Sequence, residues 1–264
     1  MANLIRTAKS GSDWTLNELE SYNIRLEHQE ALEFFGVSVL PDPAVDAELL
    51  QRVNRCEMEQ DRNAQLIGYL EMAMDGRLGS SSAVIDFVTE LLKHTGYTDR
   101  DRLAQMRRDL PFLVCGEFKS ANMDVSIVDD EQGDILLLVL VQEYRHPEDA
   151  PPCDPLSQLV ANALAAFTES NEHRILRRLP PLKSKIMAGI VMDGTVPTFF
   201  KIPVSQELVA HVQHGTYPPT PTFVTYCSPP VPHPARLSID GMKPLSNRRA
   251  ILSCFEVFKS IVGI

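Results

Sequence analysis

One apolar run constrains the fold of this chain more than any other stretch. Residues 135–141 are all Ile, Leu or Val, with Gly133-Asp134 before them and His146-Pro147 after them. Such a run is typical of a strand buried on both faces, in the middle of a sheet covered by helices. It is too short to cross a bilayer. The sequence therefore predicts an α/β protein with a central mixed sheet flanked by helices.

A second strand and a turn precede this run. Residues 123–128 alternate along the chain, with Val125 and Ile127 on one face and Asp124 on the other. The segment Asp-Asp-Glu-Gln-Gly at 129–133 is typical of a turn. The two strands are therefore expected to form a hairpin.

The ionisable residues of this hairpin fall at the ends of its strands. The polar segment QEYR follows the apolar run, and alternation puts its Glu143 and Arg145 on one face. The hairpin then brings Asp124 beside Glu143. Two adjacent carboxylates repel unless a cation lies between them, and oxygen ligands suit Mg²⁺ or Mn²⁺. Spacing alone leaves a second interpretation, a solvated hairpin end whose two acids point at water.

The order of strands, hairpin and helix resembles the PD-(D/E)XK nuclease superfamily, and more closely a branch of it from mushroom-forming fungi. The resemblance runs from SDWTLNELESYNI at 12–24 to the end of the chain. It includes MDV around Asp124, QEYR at 142–145, DPLSQLVANALAAF at 154–167 and GTVPTFFKIPV at 194–204. It implies a restriction-endonuclease-like core with an N-terminal helical extension, and a site that uses Mg or Mn to hydrolyse phosphodiesters.

The resemblance also assigns roles to individual residues. Asp124 and Glu143 match the two acidic positions of the motif and would hold the metal, together with the backbone carbonyl of Tyr144. Gln158, in the helix that follows the strands, would orient a water molecule. Glu90, in the helix before the strands, would add a further acid to the site, although a surface position is its alternative.

The third position of the motif departs from the superfamily. Arg145 stands where the motif has lysine, and arginine stays protonated near neutral pH, whereas a buried lysine can exchange a proton. Arg145 can still stabilise negative charge on a phosphate. Lys119, in the preceding strand, is a candidate replacement for the lysine. Glu71 is a second candidate for the helix acid.

Composition and charge restrict the partners of the chain. Its 264 residues include 35 acidic and 25 basic ones, which gives a formal net charge of -10. Such a chain is a poor default binder of nucleic acid, because contacts with phosphates supply most of that affinity. The densest basic segment, within 174–185, is the candidate face for phosphates; a solvated helix end is the alternative.

Cysteine usage and the N-terminal sequence indicate a compartment. The five cysteines include no close pair, so they form neither a zinc nor a disulfide pattern and fit a reducing environment. Residues 1–14 lack the apolar run of a signal peptide. We therefore expect an intracellular protein, cytoplasmic or nuclear, without a membrane partner.

The remaining patterns indicate the organisation of the chain. Residues 1–11 are expected to form a flexible tail, 12–79 an N-terminal helical region packed on the core, and 80–264 the α/β core with a C-terminal helix. The proline-rich segment 216–234 is either an extended arm or a loop. Helical spacing or capping signals predict helices at 44–56, 61–74, 83–94, from 155 onward, 205–214 and 246–261, and alternation predicts strands at 185–192 and 197–204.

Three functions are consistent with the sequence. The first is a metal-dependent nuclease or phosphodiesterase with a degenerate site, acting on nucleic acid or on a phosphorylated small molecule. The second is a catalytically inactive nuclease fold used for binding, and the third is an enzyme of fungal metabolism that acts on a small molecule in the same pocket. Asp124 and Glu143 favour the first function, whereas the acidic charge and Arg145 favour the other two.

Overall fold

The computed structural model describes residues 6–75, 81–142 and 154–264. Its strands are β1 (Ile24–His28), β2 (Arg102–Val114), β3 (Glu117–Asp129), β4 (Ile135–Gln142), β5 (Ser184–Asp193), β6 (Val196–Ser205) and β7 (Thr222–Cys227). They form a mixed sheet in the order β1-β7-β6-β5-β4-β3-β2. The pairs β1–β7 and β4–β5 are parallel, and the other neighbours are antiparallel.

Helices cover both faces of this sheet. They are α1 (Leu16–Ser21), α2 (Ala31–Phe35), α3 (Ala47–Gln51), α4 (Asp61–Met74), α5 (Ser81–His94), α6 (Pro155–Leu176), α7 (Gln206–His214), α8 (Leu237–Asp240) and α9 (Leu245–Val262). On one face α2, α4, α5 and α9 form what we call the α5 layer, and on the other face α1, α6 and α7 form the α6 layer. No helix in the described ranges is long and apolar enough to span a membrane.

β4 is buried by both layers. Leu137 and Val139 pack in the core of the α5 layer, whereas Leu138 and Leu140 pack in the core of the α6 layer. The alternation follows from the period of two residues in a strand, and burial on both faces explains why the strand carries no polar residue until its end. The prediction of an α/β fold with a central mixed sheet is confirmed; a restriction-endonuclease-like core remains a prediction.

The helix that follows β4 begins where the sequence predicts. The carboxylate of Asp154 accepts hydrogen bonds from the Leu156 amide at 3.3 Å and from the Ser157 hydroxyl at 2.7 Å. Pro155 occupies the first helical position, where its missing N–H costs no hydrogen bond. α6 then returns the chain to β5, which lies parallel to β4, so the start of α6 follows the carboxyl end of β4.

The hairpin of β2 and β3 is longer than the sheet to which it belongs. β2 and β3 pair from Arg102 with Asp129 to Val114 with Glu117, whereas the register of β3 with β4 covers only residues 125–128. Residues 109–122, which we call the hairpin arm, bury apolar side chains against the α6 layer. At the tip, the Cys115 amide donates a hydrogen bond to a carbonyl of α7 at 3.0 Å. The arm therefore ties β3 to α7 across α6.

The N-terminal part of the chain differs in detail from the expectations. The helix predicted at 44–56 is α3 followed by a separate 3-10 turn, Arg55–Glu57. Asn54 and Glu57 form a capping box that starts this new turn, because side chains of this kind offer the backbone an alternative to the helix. β1 adds a strand to the edge of the common sheet.

Two further segments acquire structure from their contacts. The proline-rich segment 216–234 contains β7, which pairs with β1 and β6. Part of the predicted flexible tail contacts the fold: Arg6 donates a hydrogen bond to the Ser21 carbonyl at 3.0 Å, and Lys9 pairs with Glu18 at 2.5 Å. Residues 1–5 lie outside the described ranges.

Gly189 sets how closely α6 approaches the sheet, and it gives a first prediction. A Cβ atom at Gly189 would lie 2.8 Å from Cδ2 of Leu159, which is itself fully buried in α6. Gly189→Ala should therefore lower the free energy of unfolding by about 1–3 kcal/mol, because the packed helix cannot move away without opening the core. Urea denaturation followed by circular dichroism measures this change.

Gly68→Ala is the matched control for this substitution. A Cβ atom at Gly68, within α4, meets nothing closer than 3.4 Å. Alanine should stabilise the helix by roughly 0.5–1 kcal/mol, since glycine costs that much backbone entropy in a helix interior. Equal stability changes in the two variants would contradict the close approach of α6 at Gly189.

Candidate functional site

Three of the predicted site residues lie within the part of the chain that the structure describes. Asp124, Gln158 and Glu90 belong to the described part of the chain, whereas Glu143, Tyr144 and Arg145 lie outside it. The geometry of the site is therefore built from Asp124 and from the end of β4.

Asp124 terminates the pairing between β3 and β4. Its Oδ2 atom accepts a hydrogen bond from the backbone amide of Val141 at 2.7 Å. The registered pairing of the two strands ends at Val125 with Val139, next to Asp124 in β3. Val139 and Val141 are two residues apart, so their amides point toward the same neighbouring strand. The Asp124 carboxylate thus takes the place of the backbone carbonyl that β3 would supply if its pairing with β4 continued. Val141, which donates this hydrogen bond, lies two residues before Glu143 in the sequence.

The environment of Asp124 disfavours the ionised form of its carboxyl. The side chain is half-buried, and burial raises the pKa of its carboxyl above the usual value. The hydrogen bond from the Val141 amide and the positive charge of Arg107 oppose this rise in pKa. The second oxygen, Oδ1, accepts no hydrogen bond from the described residues. One hard oxygen ligand, in a place where a cation would offset the cost of burial, fits the donor chemistry of Mg²⁺ or Mn²⁺.

Arg107 lies across the hairpin from Asp124, and sequence reasoning did not single it out. The registered pairs on either side are Met106 with Val125 and Arg108 with Met123, which leaves Arg107 opposite Asp124. Its backbone is left-handed, with φ of 51°. Here the hairpin also rotates: Met123 packs in the α6 layer, whereas Val125 packs in the α5 layer. Because sequence alternation assumes a regular strand, no pattern indicated this rotation.

Gln158 and Glu90 come from opposite faces of the sheet. Gln158 is partly exposed in the first turn of α6, one turn before Asn162, whose amide donates a hydrogen bond to the Asn122 carbonyl at 2.8 Å. Glu90 belongs to α5, and its carboxylate pairs with Lys93 at 2.8 Å. Gln158 therefore lies on the α6 face of the sheet, whereas Glu90 forms an ion pair within the α5 layer. The structure does not bring the two residues together.

The other cationic candidates are distant from Asp124. Lys119 pairs with Glu117 at 2.9 Å, and five residues of extended strand, roughly 16 Å, separate it from Asp124. In the basic segment, Lys185 donates a hydrogen bond to the Ile135 carbonyl at 3.1 Å, at the beginning of β4. Six residues, roughly 20 Å, separate that position from Val141. Neither group supplies a lysine at the Asp124 end of the strands.

The basic segment instead fastens the turn between β3 and β4. Arg177 donates a hydrogen bond to the Glu131 carbonyl, and Arg174 lies 3.9 Å from the Asp134 carboxylate. These contacts join the end of α6 to the turn. Three basic residues of the segment, Arg174, Arg177 and Lys185, therefore have a structural use.

Two adjoining clefts open beside the end of β5. The larger, of about 580 Å³, is lined by Glu71, Asp240 and Lys243 among others, and the smaller, of about 220 Å³, is lined by Asp193. Asp193 is in register with Gln142 of β4, so the smaller cleft lies one strand away from the Asp124 end of β4. Their largely acidic rims disfavour a polyanionic ligand.

Comparisons with known proteins assign the chain to no family. No protein-family model matches it, and no curated protein matches it in sequence. Across residues 6–75, 81–142 and 154–264, no group of three or more His, Cys, Asp or Glu side chains is arranged to hold a metal ion.

The pKa of Asp124 predicts how stability depends on pH. A carboxyl whose pKa is raised by folding binds its proton more tightly in the native state, so its contribution to stability is present at low pH and is lost as pH rises through the folded pKa. Asp124→Asn keeps a carbonyl for the Val141 amide but cannot ionise. In buffer with a chelator, the variant should gain stability relative to the wild type as pH rises above about 4, the usual pKa of an aspartate carboxyl.

Asp124→Ala removes both the charge and the acceptor for the Val141 amide. Compared with Asp124→Asn, which removes only the charge, it should lose about 1–3 kcal/mol in the free energy of unfolding at every pH. Thermal and urea denaturation of both variants across the pH range measure the two effects. A pH-independent difference between Asp124→Asn and the wild type would contradict the raised pKa.

Proposed function

We propose that the chain is a metal-dependent phosphodiester hydrolase whose site is built on Asp124 and the end of β4. The observation that carries the proposal is the hydrogen bond from the Val141 amide to Asp124 Oδ2. It orients a half-buried carboxylate beside the strand that leads into Glu143 and leaves Oδ1 without a partner among the described residues. An oriented oxygen ligand in a poorly solvated position is what a hard divalent cation requires.

Each residue of the site has a distinct task in this proposal. Asp124, Glu143 and the Tyr144 carbonyl would hold the cation. Arg145 would stabilise negative charge on the phosphate, and Gln158 would orient the attacking water from the first turn of α6. Bound Mg²⁺ or Mn²⁺ would neutralise phosphate charge and lower the pKa of water.

A second function is favoured by the same hydrogen bond. Since the Asp124 carboxylate caps the pairing of β3 with β4, the fold alone gives the aspartate a use. A nuclease-like scaffold that binds a partner without catalysis would keep Asp124 for this purpose. It would also tolerate Arg145, which cannot exchange a proton as lysine does.

Calorimetric titration with Mn²⁺, combined with cleavage assays, tests the proposed hydrolase. Asp124→Asn keeps the acceptor for the Val141 amide but removes the charge, so Mn²⁺ affinity should fall by about 10–100-fold or more. Cleavage of single- and double-stranded DNA and RNA, and of bis(4-nitrophenyl) phosphate, should be lost with it. Arg145→Lys should increase cleavage if only the lysine is missing from the site.

Asp109→Asn is the control for this experiment. Asp109 is exposed on the same hairpin, so the substitution removes one negative charge without touching the proposed ligands. Its Mn²⁺ affinity should remain within about twofold of the wild type, because exposed charges are screened by solvent and salt. Equal Mn²⁺ binding by the wild type and Asp124→Asn would reject the hydrolase and leave the binding scaffold.

A further inference from the structure

We infer that Arg107 is a phosphate-binding residue of the Asp124 site, where it supplies a second positive charge to the anion bound there. The inference rests on the proposed function, because it names the residue that would contact the phosphoryl group of its substrate. It follows from the position of Arg107, from its backbone conformation and from its lack of a partner within the described residues.

The position of Arg107 is fixed by the hairpin. The registered pairs on either side of it leave Arg107 opposite Asp124, although these two residues do not themselves form a registered pair. A guanidinium on this residue therefore acts close to the carboxylate. In agreement, the positive charge of Arg107 lowers the pKa of the Asp124 carboxyl.

The backbone of Arg107 is unusual for its place in the chain. A φ of 51° within a strand is left-handed, a conformation that L-residues other than glycine, asparagine and aspartate rarely adopt. Glycine would meet the steric requirement at lower cost, yet the chain has arginine. Backbone strain of this kind clusters at functional sites, and here the residue that bears it carries a charged, exposed side chain.

Among the described residues, Arg107 differs from neighbouring cations in forming no hydrogen bond or ion pair with its side chain. Its neighbour Arg108 pairs with Glu169 of α6 at 2.9 Å, and Lys119 pairs with Glu117. Within the described ranges, the side chain of Arg107 forms no hydrogen bond or ion pair, not even with Asp124. In the proposed site, Asp124 would hold a cation, and an anion bound to that cation would also contact the guanidinium of Arg107. An arginine that has no other partner is suited to this contact.

The same reasoning indicates where the substrate lies. The clefts beside β5 have largely acidic rims, and Arg177 and Lys185 of the basic segment hold the turn between β3 and β4. Arg107 therefore marks the exposed face of the β2–β3 hairpin as the side from which a phosphate approaches Asp124. This arrangement suits a ligand with one phosphoryl group near Asp124 more than one that tracks along α6.

Titration with inorganic phosphate tests the inference without relying on a metal. In the wild type and in chelator, the Asp124 charge repels phosphate, so binding should be weak. Asp124→Asn removes that repulsion and should bind phosphate more tightly. Adding Arg107→Gln should then weaken binding by about tenfold or more, as expected for a lost charge-assisted contact. Phosphorus-31 and amide NMR measure the affinities.

Arg100→Gln, added to Asp124→Asn, is the matched control. Arg100 is exposed near the start of β2, so the variant has the same net charge as the Arg107→Gln variant but keeps the guanidinium opposite residue 124. Its phosphate affinity should stay within about twofold of Asp124→Asn, because screening limits the effect of distant exposed charges. Equal weakening by the two substitutions would overturn the inference.

Arg107→Gly separates binding from a structural role. Glycine accepts the left-handed backbone, so this variant should unfold at the same temperature as the wild type or a higher one, while losing phosphate affinity as Arg107→Gln does. A lower melting temperature with unchanged affinity would assign Arg107 to the fold and overturn the inference. If Arg107→Gln weakens phosphate binding while Mn²⁺ binding and cleavage are absent, the inference stands and the hydrolase fails.

Discussion

The hydrogen bond between the Val141 amide and the Asp124 carboxylate determines how the pairing of β3 with β4 ends. It closes the pairing of β3 with β4 without a further backbone carbonyl. β3 is then free to leave the sheet with β2 and extend over α6 to α7. An unpaired amide at that point would be costly, since buried backbone groups need partners. One aspartate therefore permits the hairpin arm and also places an acid beside the end of the central strand.

The structural and chemical uses of Asp124 are compatible because they employ different oxygens. Oδ2 satisfies the Val141 amide, and Oδ1 accepts no hydrogen bond from the described residues. Burial makes the charged carboxylate unfavourable and raises its pKa, so a cation at this place would stabilise the native state. The left-handed Arg107 across the hairpin adds a positive charge on the other side. A carboxylate, a cation without a partner among the described residues and a rotated strand therefore meet at one position, and the proposed phosphate site uses all three.

Much of the fold was predictable because its signals are local. The apolar run of β4, the turn before it, and the caps of α6 and α7 at Asp154 and Ser205 all depend on residues within a few positions of one another. The helix expected at 44–56 was wrong in its extent, since Asn54 and Glu57 form a capping box that divides it. For the candidate site, Asp124 was found from alternation, but its bond to Val141 and the proximity of Arg107 were not, because both depend on how β3 leaves β4.

The sequence by itself determined the fold class, the burial of β4 inside the sheet and the helix starts. The tertiary structure decided which polar groups are buried and what they contact. Arg248 reads as an ordinary helix residue, yet it is 2% exposed and its guanidinium donates to carbonyls that include those of Leu49 and Arg52, almost 200 residues away. Gly189 likewise gains its importance only from α6 lying against it. Periodicity and capping act within a few residues, whereas burial and partners depend on segments far apart in the chain, so only the folded arrangement fixes them.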